Sequence, residues 1–162
     1  MKALFGYSAL SLAAVALDQW LKMWVEANLD MHQPIDILPF FALYRTYNTG
    51  VAFSLFSSAG DTPLIILSIA VITFVLYLAA RSRPSQILAR IGFALIVGGA
   101  IGNLIDRAML GYVIDYFLFH TPTWSFAVFN LADSFISVGA GMVILDELLE
   151  WARDRRRRTT GD

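Results

Sequence analysis

Four long apolar stretches limit what this chain can fold into more than any other feature of its sequence. They cover about residues 3–25, 62–80, 87–107 and 131–149. The hydrocarbon core of a bilayer is about 30 Å thick, so a helix needs roughly 20 apolar residues to cross it. Only 15% of the 162 residues are charged, whereas about a quarter are charged in a soluble domain. The sequence therefore predicts an all-α membrane protein, in which residues 1–162 form one membrane domain of four transmembrane helices.

The basic residues predict how these helices are oriented. Short cytoplasmic connections of membrane proteins are enriched in Lys and Arg. Most of the 12 basic residues precede helix 1, surround the turn between helices 2 and 3, or follow helix 4: Lys2, Arg81, Arg83, Arg90, Arg153 and residues 155–158. We therefore expect both termini to be cytoplasmic, and the connections 26–61 and 107–129 to face outward.

Both outward connections contain segments that are typical of β-strands. Residues 41–56 and 124–129 are rich in aromatic and β-branched side chains. Within the first segment, Asn48-Thr49-Gly50 is a turn or bulge signal. Because aromatic side chains favour the membrane–water interface, we predict a small extracytoplasmic β-sheet that rests on this interface.

The N-terminus allows a second interpretation. Lys2, the apolar run that follows it and Ala14-Val15-Ala16 are also typical of a cleavable signal peptide. The apolar run is long for such a peptide. The distribution of charge does not discriminate, because the three remaining helices would keep the same orientation. Retention of residues 1–16 stays open, and the intact mass of the protein would decide it.

Ionisable residues within or at the edge of a membrane span are costly, so each is a functional candidate. Asp18 and Lys22 are four residues apart on one face of helix 1, in the order that favours an ion pair. We interpret them as a structural pair near the outer end of this helix.

The end of helix 3 brings three polar residues together. Asn103, Asp106 and Arg107 are spaced so that they lie on one face of the helix. They form either a solvated helix end or a site where the guanidinium fork of Arg107 holds a carbonyl or phosphate group. Just upstream, Gly98-x-x-x-Gly102 is a spacing that lets helices approach closely, and packing is its simplest interpretation.

Asp115 and Asp133 are the strongest catalytic candidates. Asp115 lies among apolar neighbours, and Asp133 opens helix 4 on the same outward face, so the two can meet at one depth. Two close carboxylates cannot both ionise cheaply; one then keeps its proton while the other acts as a base in peptide hydrolysis. Capping is the alternative role for Asp133, because Asn130 followed by an acid three residues later resembles a capping box.

The composition excludes several other kinds of chemistry. Cys is absent, which excludes disulfides and thiolate nucleophiles. His32 and His120 fit no zinc-binding spacing. The formal net charge of -1 suggests no nucleic-acid partner.

Five segments together resemble the lipoprotein signal peptidase (signal peptidase II) family. In chain order they are DQWLK (18–22), NTGVAF (48–53), GGAIGNLIDR (98–107), VIDYF (113–117) and FNLADS (129–134). One segment alone is weak evidence, whereas five in this order on a chain of four predicted helices make a specific signal. Tyr116 and Phe117 are aromatic positions at which we expect variation.

The resemblance implies an aspartyl endopeptidase of the bacterial inner membrane. Its partners would be membrane lipids and prolipoproteins that carry diacylglycerol on a cysteine, with cleavage on the amino side of that cysteine. Asp115 and Asp133 match the family's catalytic pair, and Asp18 and Lys22 match a structural pair. The positions that line the site and hold substrate backbone are matched by Asn48, Gly50, Asn103, Arg107 and Asn130. The resemblance implies no metal or cofactor, and we expect a monomer.

Two functions of other classes remain open. A small proton-coupled transporter or channel also uses intramembrane carboxylates, but it predicts them near the bilayer midplane, whereas Asp115 and Asp133 gather with Lys22 and Arg107 at one edge. A membrane scaffold would use its basic tail, residues 153–158, to bind anionic lipids. Cleavage of a lipidated precursor by the purified protein would separate a peptidase from both.

Overall fold

The computed structural model describes residues 2–50 and 62–160 of the chain. Within these residues, four helices and four strands follow one another in the order α1 (Lys2–Asn28), β1 (Pro34–Leu38), β2 (Phe41–Asn48), α2 (Thr62–Arg81), α3 (Ile87–Leu110), β3 (Val113–Thr121), β4 (Trp124–Ser125) and α4 (Leu131–Thr160). The prediction of a mostly helical chain with a small sheet is confirmed.

The helices extend beyond the ends of the apolar stretches that predicted them. α1 continues to Asn28 and α3 to Leu110, and α4 runs to Thr160, well past the end of its apolar stretch. An apolar stretch marks only the part of a helix that fits into a bilayer. The helix itself continues beyond that stretch through Glu, Leu and Arg, because these residues are good helix formers. α3 stops at Gly111, which has a φ of 80° and donates its N–H to the carbonyl of Arg107.

In the described part of the chain, α2 and α3 are the helices that are long and apolar enough to cross a membrane. That α1 and α4 also cross the membrane stays a prediction. α2 exposes large apolar side chains along its length: Ile66, Leu67, Ile69, Phe74 and Leu76 are each at least half exposed. A contiguous apolar surface of this kind is unfavourable in water and suits a lipid environment.

α3 lies at the centre of the helices, because α1, α2 and α4 all pack against it. One apolar core joins α2 to α3 through Val75, Phe93 and Val97, and Ala140 and Val143 of α4 pack against the same core. The central position of α3 explains why its apolar residues are largely buried while those of α2 are exposed.

Glycines allow the backbones of the helices to approach closely. A Cβ atom at Gly92 would lie 2.5 Å from the carbonyl oxygen of Gly139, and a Cβ atom at Gly139 would lie 2.5 Å from that of Gly92. Gly98 faces α1 in the same way, and a Cβ atom at Gly102 would lie 2.5 Å from Oδ2 of Asp18. The glycine spacing in α3 therefore serves helix packing, and Gly102 also makes room for a carboxylate.

The four strands form one antiparallel sheet in the order β1-β2-β3-β4. β2 pairs with β3 in a register that puts Thr46 opposite Asp115. Of the predicted strand 41–56, the part beyond residue 50 lies outside the described residues. The predicted strand 124–129 is shorter than expected, since only Trp124–Ser125 forms a strand.

β1 and β3 were not predicted as strands. β1 is a short segment of five exposed residues, whose pairing depends on β2. Apart from Asp115, the first seven residues of β3 are apolar or aromatic. Such a run lacks the alternation that distinguishes a strand from a helix in the sequence. β3 is defined by its pairing with β2, which lies far earlier in the chain and is not revealed by a local pattern, whereas β1 pairs with the strand that directly follows it.

The sheet is held against the end of α1. Val25 of α1 and Leu29, the residue just after this helix, form a second apolar core with Ile114 and Tyr116 of β3. Arg45 of β2 donates a hydrogen bond to the main-chain carbonyl of Leu29 at 3.0 Å. These contacts fix β2 and β3 relative to the helices, and hence the polar side chains that the two strands carry.

Replacing Gly139 by Ala is expected to lower the midpoint of thermal unfolding, whereas the same change at Gly141 is not. Overpacking at Gly139 costs about 1–3 kcal/mol. Nothing lies within 4 Å of a Cβ atom at Gly141, and Ala is there about 1 kcal/mol better than Gly as a helix former. The measurement is thermal unfolding in detergent. A Gly139→Ala protein as stable as Gly141→Ala would contradict the close contact between α3 and α4.

Candidate active site

A sharp reversal of the chain after α3 positions Asp115. α3 ends at Gly111, and β3 begins at Val113. Oδ2 of Asp106 accepts a hydrogen bond from the backbone N–H of Ile114 at 3.2 Å, so the first residues of β3 are fixed to α3. Asp115 follows directly and is only 2% exposed.

Each carboxylate oxygen of Asp115 accepts a hydrogen bond from a side-chain amide. Asn130 donates to Oδ1 at 2.7 Å, and Asn48 donates to Oδ2 at 3.0 Å. Asn48 is oriented in turn by the N–H of Gly50, which donates to its Oδ1 at 2.8 Å. Burial raises the pKa of Asp115 to about 7; the negative charge of Asp133 adds to this rise, and the hydrogen bond from Asn48 opposes it.

Asn130 and Asp133 form a capping box at the start of α4. Oδ1 of Asn130 accepts a hydrogen bond from the backbone N–H of Asp133 at 2.9 Å, and Oδ2 of Asp133 accepts one from the backbone N–H of Asn130 at 3.2 Å. The capping role considered for Asp133 is therefore present, but it uses one carboxylate oxygen. The other, Oδ1, accepts a hydrogen bond from Nδ2 of Asn103 at 2.8 Å.

Side chains from two other elements bind the next backbone N–H groups of α4. The N–H of Leu131 donates to the hydroxyl of Tyr116 at 3.1 Å, and the N–H of Ala132 donates to Oδ1 of Asp18 at 2.9 Å. The first N–H groups of a helix have no partner within the helix. Here their partners come from β3 and α1, and the start of α4 is thereby fixed in position.

Lys22 is buried at the centre of a polar cluster beside these residues. Its Nζ lies 2.8 Å from Oδ2 of Asp18 and 2.7 Å from Oδ2 of Asp106, and it donates to Oδ1 of Asn103 at 2.9 Å. The expected pair of Asp18 and Lys22 thus includes a second carboxylate. Because an ammonium group only donates, Lys22 holds Oδ1 of Asn103 toward itself and leaves Nδ2 to donate to Asp133.

Asn130 connects the two candidate catalytic carboxylates. Its side chain donates to Asp115, and its backbone N–H and Oδ1 exchange hydrogen bonds with Asp133. Its Nδ2 also donates to Oδ1 of Asn103 at 3.1 Å. Asp115 from β3 and Asp133 from α4 are therefore brought together where α3 ends and α4 begins.

Unlike Asn48, Asn103 and Asn130, Gly50 and Arg107 make no direct hydrogen bond to Asp115 or Asp133 within the described residues. Gly50 reaches Asp115 only through Asn48, and its φ of 78° fits a turn that favours glycine. Arg107 has a buried Nε without a hydrogen-bond partner among residues 2–50 and 62–160. In the same residues, no hydrogen bond or ion pair joins it to either carboxylate.

Three further residues belong to this network, although none of them was among the predicted site residues: Gln19, Asp106 and Tyr116. Gln19 donates to Oδ1 of Asp106 at 2.8 Å, and Asp106 is an ion-pair partner of Lys22. The signal for Asp106 was its spacing of three residues from Asn103. Tyr116 is fully buried and binds the start of α4, and no local pattern distinguishes it from an ordinary aromatic residue of a strand.

The arrangement suits general acid–base chemistry. A carboxyl group that exchanges its proton near neutral pH stands beside a second carboxyl group, and their side-chain hydrogen bonds come from amides. Across the described residues, no group of three or more His, Asp or Glu side chains is arranged to hold a metal ion.

The fold is similar to that of two solved structures. A solved structure described as a bacterial membrane enzyme, determined by the in meso method at 1.9 Å resolution, superposes with a TM-score of 0.80 over 88% of this chain and 92% of that chain. A second such structure, at 2.3 Å resolution, gives the same TM-score over 91% of each chain. Both are 24% identical in sequence to this chain, and at this identity the likeness shows the fold alone.

Sequence comparison identifies the family. The family profile described as signal peptidase (SPase) II matches residues 10–149. A lipoprotein signal peptidase of Mesorhizobium japonicum is 59% identical over 154 residues, which cover 95% of this chain and 92% of that protein. A lipoprotein signal peptidase of Brucella ovis is 58% identical over 142 residues, covering 88% and 89%. The chain belongs to the signal peptidase II family, as its motifs indicated, and it is a peptidase.

The carboxyl group of Asp115 is expected to titrate near pH 7, and Asp133→Asn is expected to lower its pKa because a neighbouring negative charge is lost. Carboxyl NMR of protein labelled at Asp measures this, and Asp115→Asn identifies the signal. The pKa of Asp115 in the folded protein exceeds 3.8, the ordinary value for an aspartate. The folded state therefore binds more protons than the unfolded state between these two pH values, and the stability of the fold decreases as the pH rises through that window. An Asp115 signal that titrates near pH 4 would contradict this environment.

Proposed function

We propose that this protein is an aspartyl endopeptidase that removes signal peptides from diacylglyceryl-modified prolipoproteins and cuts on the amino side of the modified cysteine. The assignment of this activity, the removal of signal peptides from lipoproteins, rests on family membership and on relatives named lipoprotein signal peptidase. The aspartyl mechanism rests on one observation: Asn130 holds Asp115 and Asp133 in a single hydrogen-bonded unit.

In this mechanism Asp115 starts with a proton and Asp133 acts as the base. The pKa of Asp115, raised to about 7, keeps its carboxyl group protonated in a large fraction of molecules at neutral pH. Asp133 accepts a proton from water while the water oxygen bonds to the scissile carbonyl carbon. Asp115 gives its proton to the leaving nitrogen as the C–N bond breaks. Proton transfer from Asp133 to Asp115 through solvent then restores the starting state.

Five residues are proposed to line the site and hold the substrate backbone: Asn48, Gly50, Asn103, Arg107 and Asn130. The buried Nε of Arg107, without a partner in the described part of the chain, supports its role, because a guanidinium group is a strong donor to a carbonyl oxygen. Asn48 and Asn103 each use one side-chain N–H on a carboxylate. A side-chain amide has two N–H donors, and the second can bind substrate.

Asp18 and Lys22 have a structural role in this proposal. Their ion pair holds Lys22 in place, and Lys22 sets which end of the Asn103 amide faces Asp133. They act on catalysis through Asn103 and do not touch the scissile bond.

We also propose that four helices span the bacterial inner membrane as one domain, with both termini cytoplasmic and the site at the extracytoplasmic face. The distribution of basic residues supports this orientation. The sheet and the residues that flank its strands expose apolar side chains suited to the membrane surface, among them Ile35, Ile37, Phe40, Trp124 and Phe126. A substrate anchored by diacylglycerol would keep its scissile bond at that surface. One chain supplies every residue of the proposed site, which supports a monomer.

Asp115→Asn and Asp133→Asn are each expected to lower the initial rate of cleavage of a lipidated precursor by about 100-fold or more, the usual contribution of a general acid or base. Asn keeps the shape of Asp and is a good capping residue, so Asp133→Asn should leave α4 folded. The double variant should be scarcely slower than either single variant, because residues that act as a unit are not additive.

Asp36→Asn is the matched control, since it removes an exposed carboxylate from the same sheet. It should cleave at the wild-type rate, and thermal unfolding of all variants in detergent shows that they are folded. A capping role alone predicts that Asp115→Asn is nearly neutral and that the effects add. Substantial cleavage by the double variant would refute the aspartyl mechanism.

Arg107→Lys is expected to weaken cleavage while the protein still inserts and folds. Lys keeps the positive charge but loses the planar guanidinium fork. Initial rates with a lipidated precursor, compared with the amount of inserted protein, measure the effect. Turnover equal to that of the wild type would mean that Arg107 belongs only to a solvated helix end.

A further inference from the structure

A cavity lies between α1 and α2 at the end of α3 that is remote from the carboxylates. Both helices pack against α3 but make little contact with each other. The gap between them leaves a cavity of about 620 Å³, which is in the range of about 300–1,000 Å³ that is usual for sites of small ligands.

The walls of this cavity are mainly apolar. They include Leu76 and Ala80 of α2, Phe93 and Val97 of α3, and the ring of Tyr7 of α1. Ser8 and Ser11 also line the cavity, but the hydroxyl of Ser11 already donates to a main-chain carbonyl of α3 at 2.8 Å. Most of the wall therefore offers no partner to water, which needs several polar partners. Since the cavity is flanked by α2, whose surface is suited to lipid, an apolar chain from the surrounding bilayer is its natural occupant.

Arg90 supplies a positive charge to the same cavity. Its Nε donates to the hydroxyl of Ser82 at 3.1 Å, and its guanidinium carbon lies 5.7 Å from the centre of the Tyr7 ring. No carboxylate lies within ion-pair distance of Arg90 among the described residues. A guanidinium group has five N–H donors in a planar fork, and this fork matches the geometry of a phosphate group.

The surrounding charges select an anionic occupant. Arg81 and Arg83 lie at the same end of the helices as Arg90, and positive side chains at a membrane surface attract anionic lipids. The positively charged start of a signal peptide would be repelled there. Arg90 also precedes Asn103 by 13 residues, about 20 Å along an α-helix, so this cavity is separate from the carboxylate site.

We propose that the cavity between α1 and α2 binds one anionic phospholipid, whose phosphate group contacts Arg90 and whose acyl chain fills the apolar part. This inference goes beyond the proposed function. It depends on the chain being in a membrane and on none of the peptidase chemistry.

Lipid titrations followed by native mass spectrometry test this proposal on the full chain in a neutral detergent. The probes are phosphatidylglycerol and phosphatidylcholine with the same acyl chains. The wild-type protein should bind one phosphatidylglycerol molecule at least about fivefold more tightly than phosphatidylcholine. One basic residue at a membrane surface contributes about 1 kcal/mol to the binding of an anionic lipid, which corresponds to this factor. Inorganic phosphate in excess should not displace it, because the acyl chain contributes to binding.

Arg90→Gln should abolish this preference, while Arg81→Gln, which removes a charge from the same end but outside the cavity, should keep it. Ala80→Leu retains every charge and fills part of the cavity, so it should weaken the binding of phosphatidylglycerol. Thermal unfolding identifies any variant that does not fold, and Ala80→Leu provides an independent test if Arg90→Gln fails. Cleavage of a lipidated precursor in neutral detergent should be unchanged in all three variants, so loss of lipid binding is distinguishable from loss of the proposed function.

Three results would overturn the proposal. Equal affinities for the two lipids would show that the cavity does not recognise charge. Equal effects of Arg90→Gln and Arg81→Gln would show a general attraction to the basic end of the helices. Displacement by inorganic phosphate would show an anion site that does not use the acyl chain.

Discussion

The buried ammonium group of Lys22 is the interaction on which the rest of the structure depends. It is bonded to Asp18 and Asp106, and each carboxylate also accepts a backbone N–H group, from Ala132 of α4 and Ile114 of β3. Buried charges are tolerated when they are paired and their remaining lone pairs are satisfied. One cluster thus connects α1, α3, α4 and β3, and loss of Lys22 would leave two buried carboxylates without their counter-charge.

The start of α4 and the candidate active site are built from the same contacts. One oxygen of Asp133 completes the capping box with Asn130, and the other receives the amide of Asn103. Capping and catalysis are therefore compatible roles for Asp133, since the cap holds the carboxylate in a fixed direction. Asp115 is buried at the start of β3, and burial raises its pKa to about 7. The two carboxyl groups differ in environment because one belongs to a strand and the other to a helix terminus.

Much of this organisation could be predicted from the sequence, because hydropathy, charge and the five family segments are local signals. They indicated the helices, a small sheet, and Asp115 and Asp133 as candidates. β3 escaped prediction because its partner β2 lies far away in the sequence, and β1 because it is a short segment of exposed residues. The roles of Asp106 in the Lys22 cluster and of Tyr116 at the start of α4 could not be predicted, because they depend on how the helices and strands pack together. No sequence pattern indicated which end of the Asn103 amide faces the site, since Lys22 decides it in three dimensions.

The central claim is that Asp115 carries the proton that peptide cleavage needs. The most direct test is the pH dependence of kcat/KM for a lipidated precursor from about pH 5 to about pH 9, because kcat/KM reports the ionisation of the free enzyme. The account predicts a rate that falls above about pH 7, as a single group loses its proton at the raised pKa of Asp115. A kcat/KM that stays constant or rises through this range would contradict it.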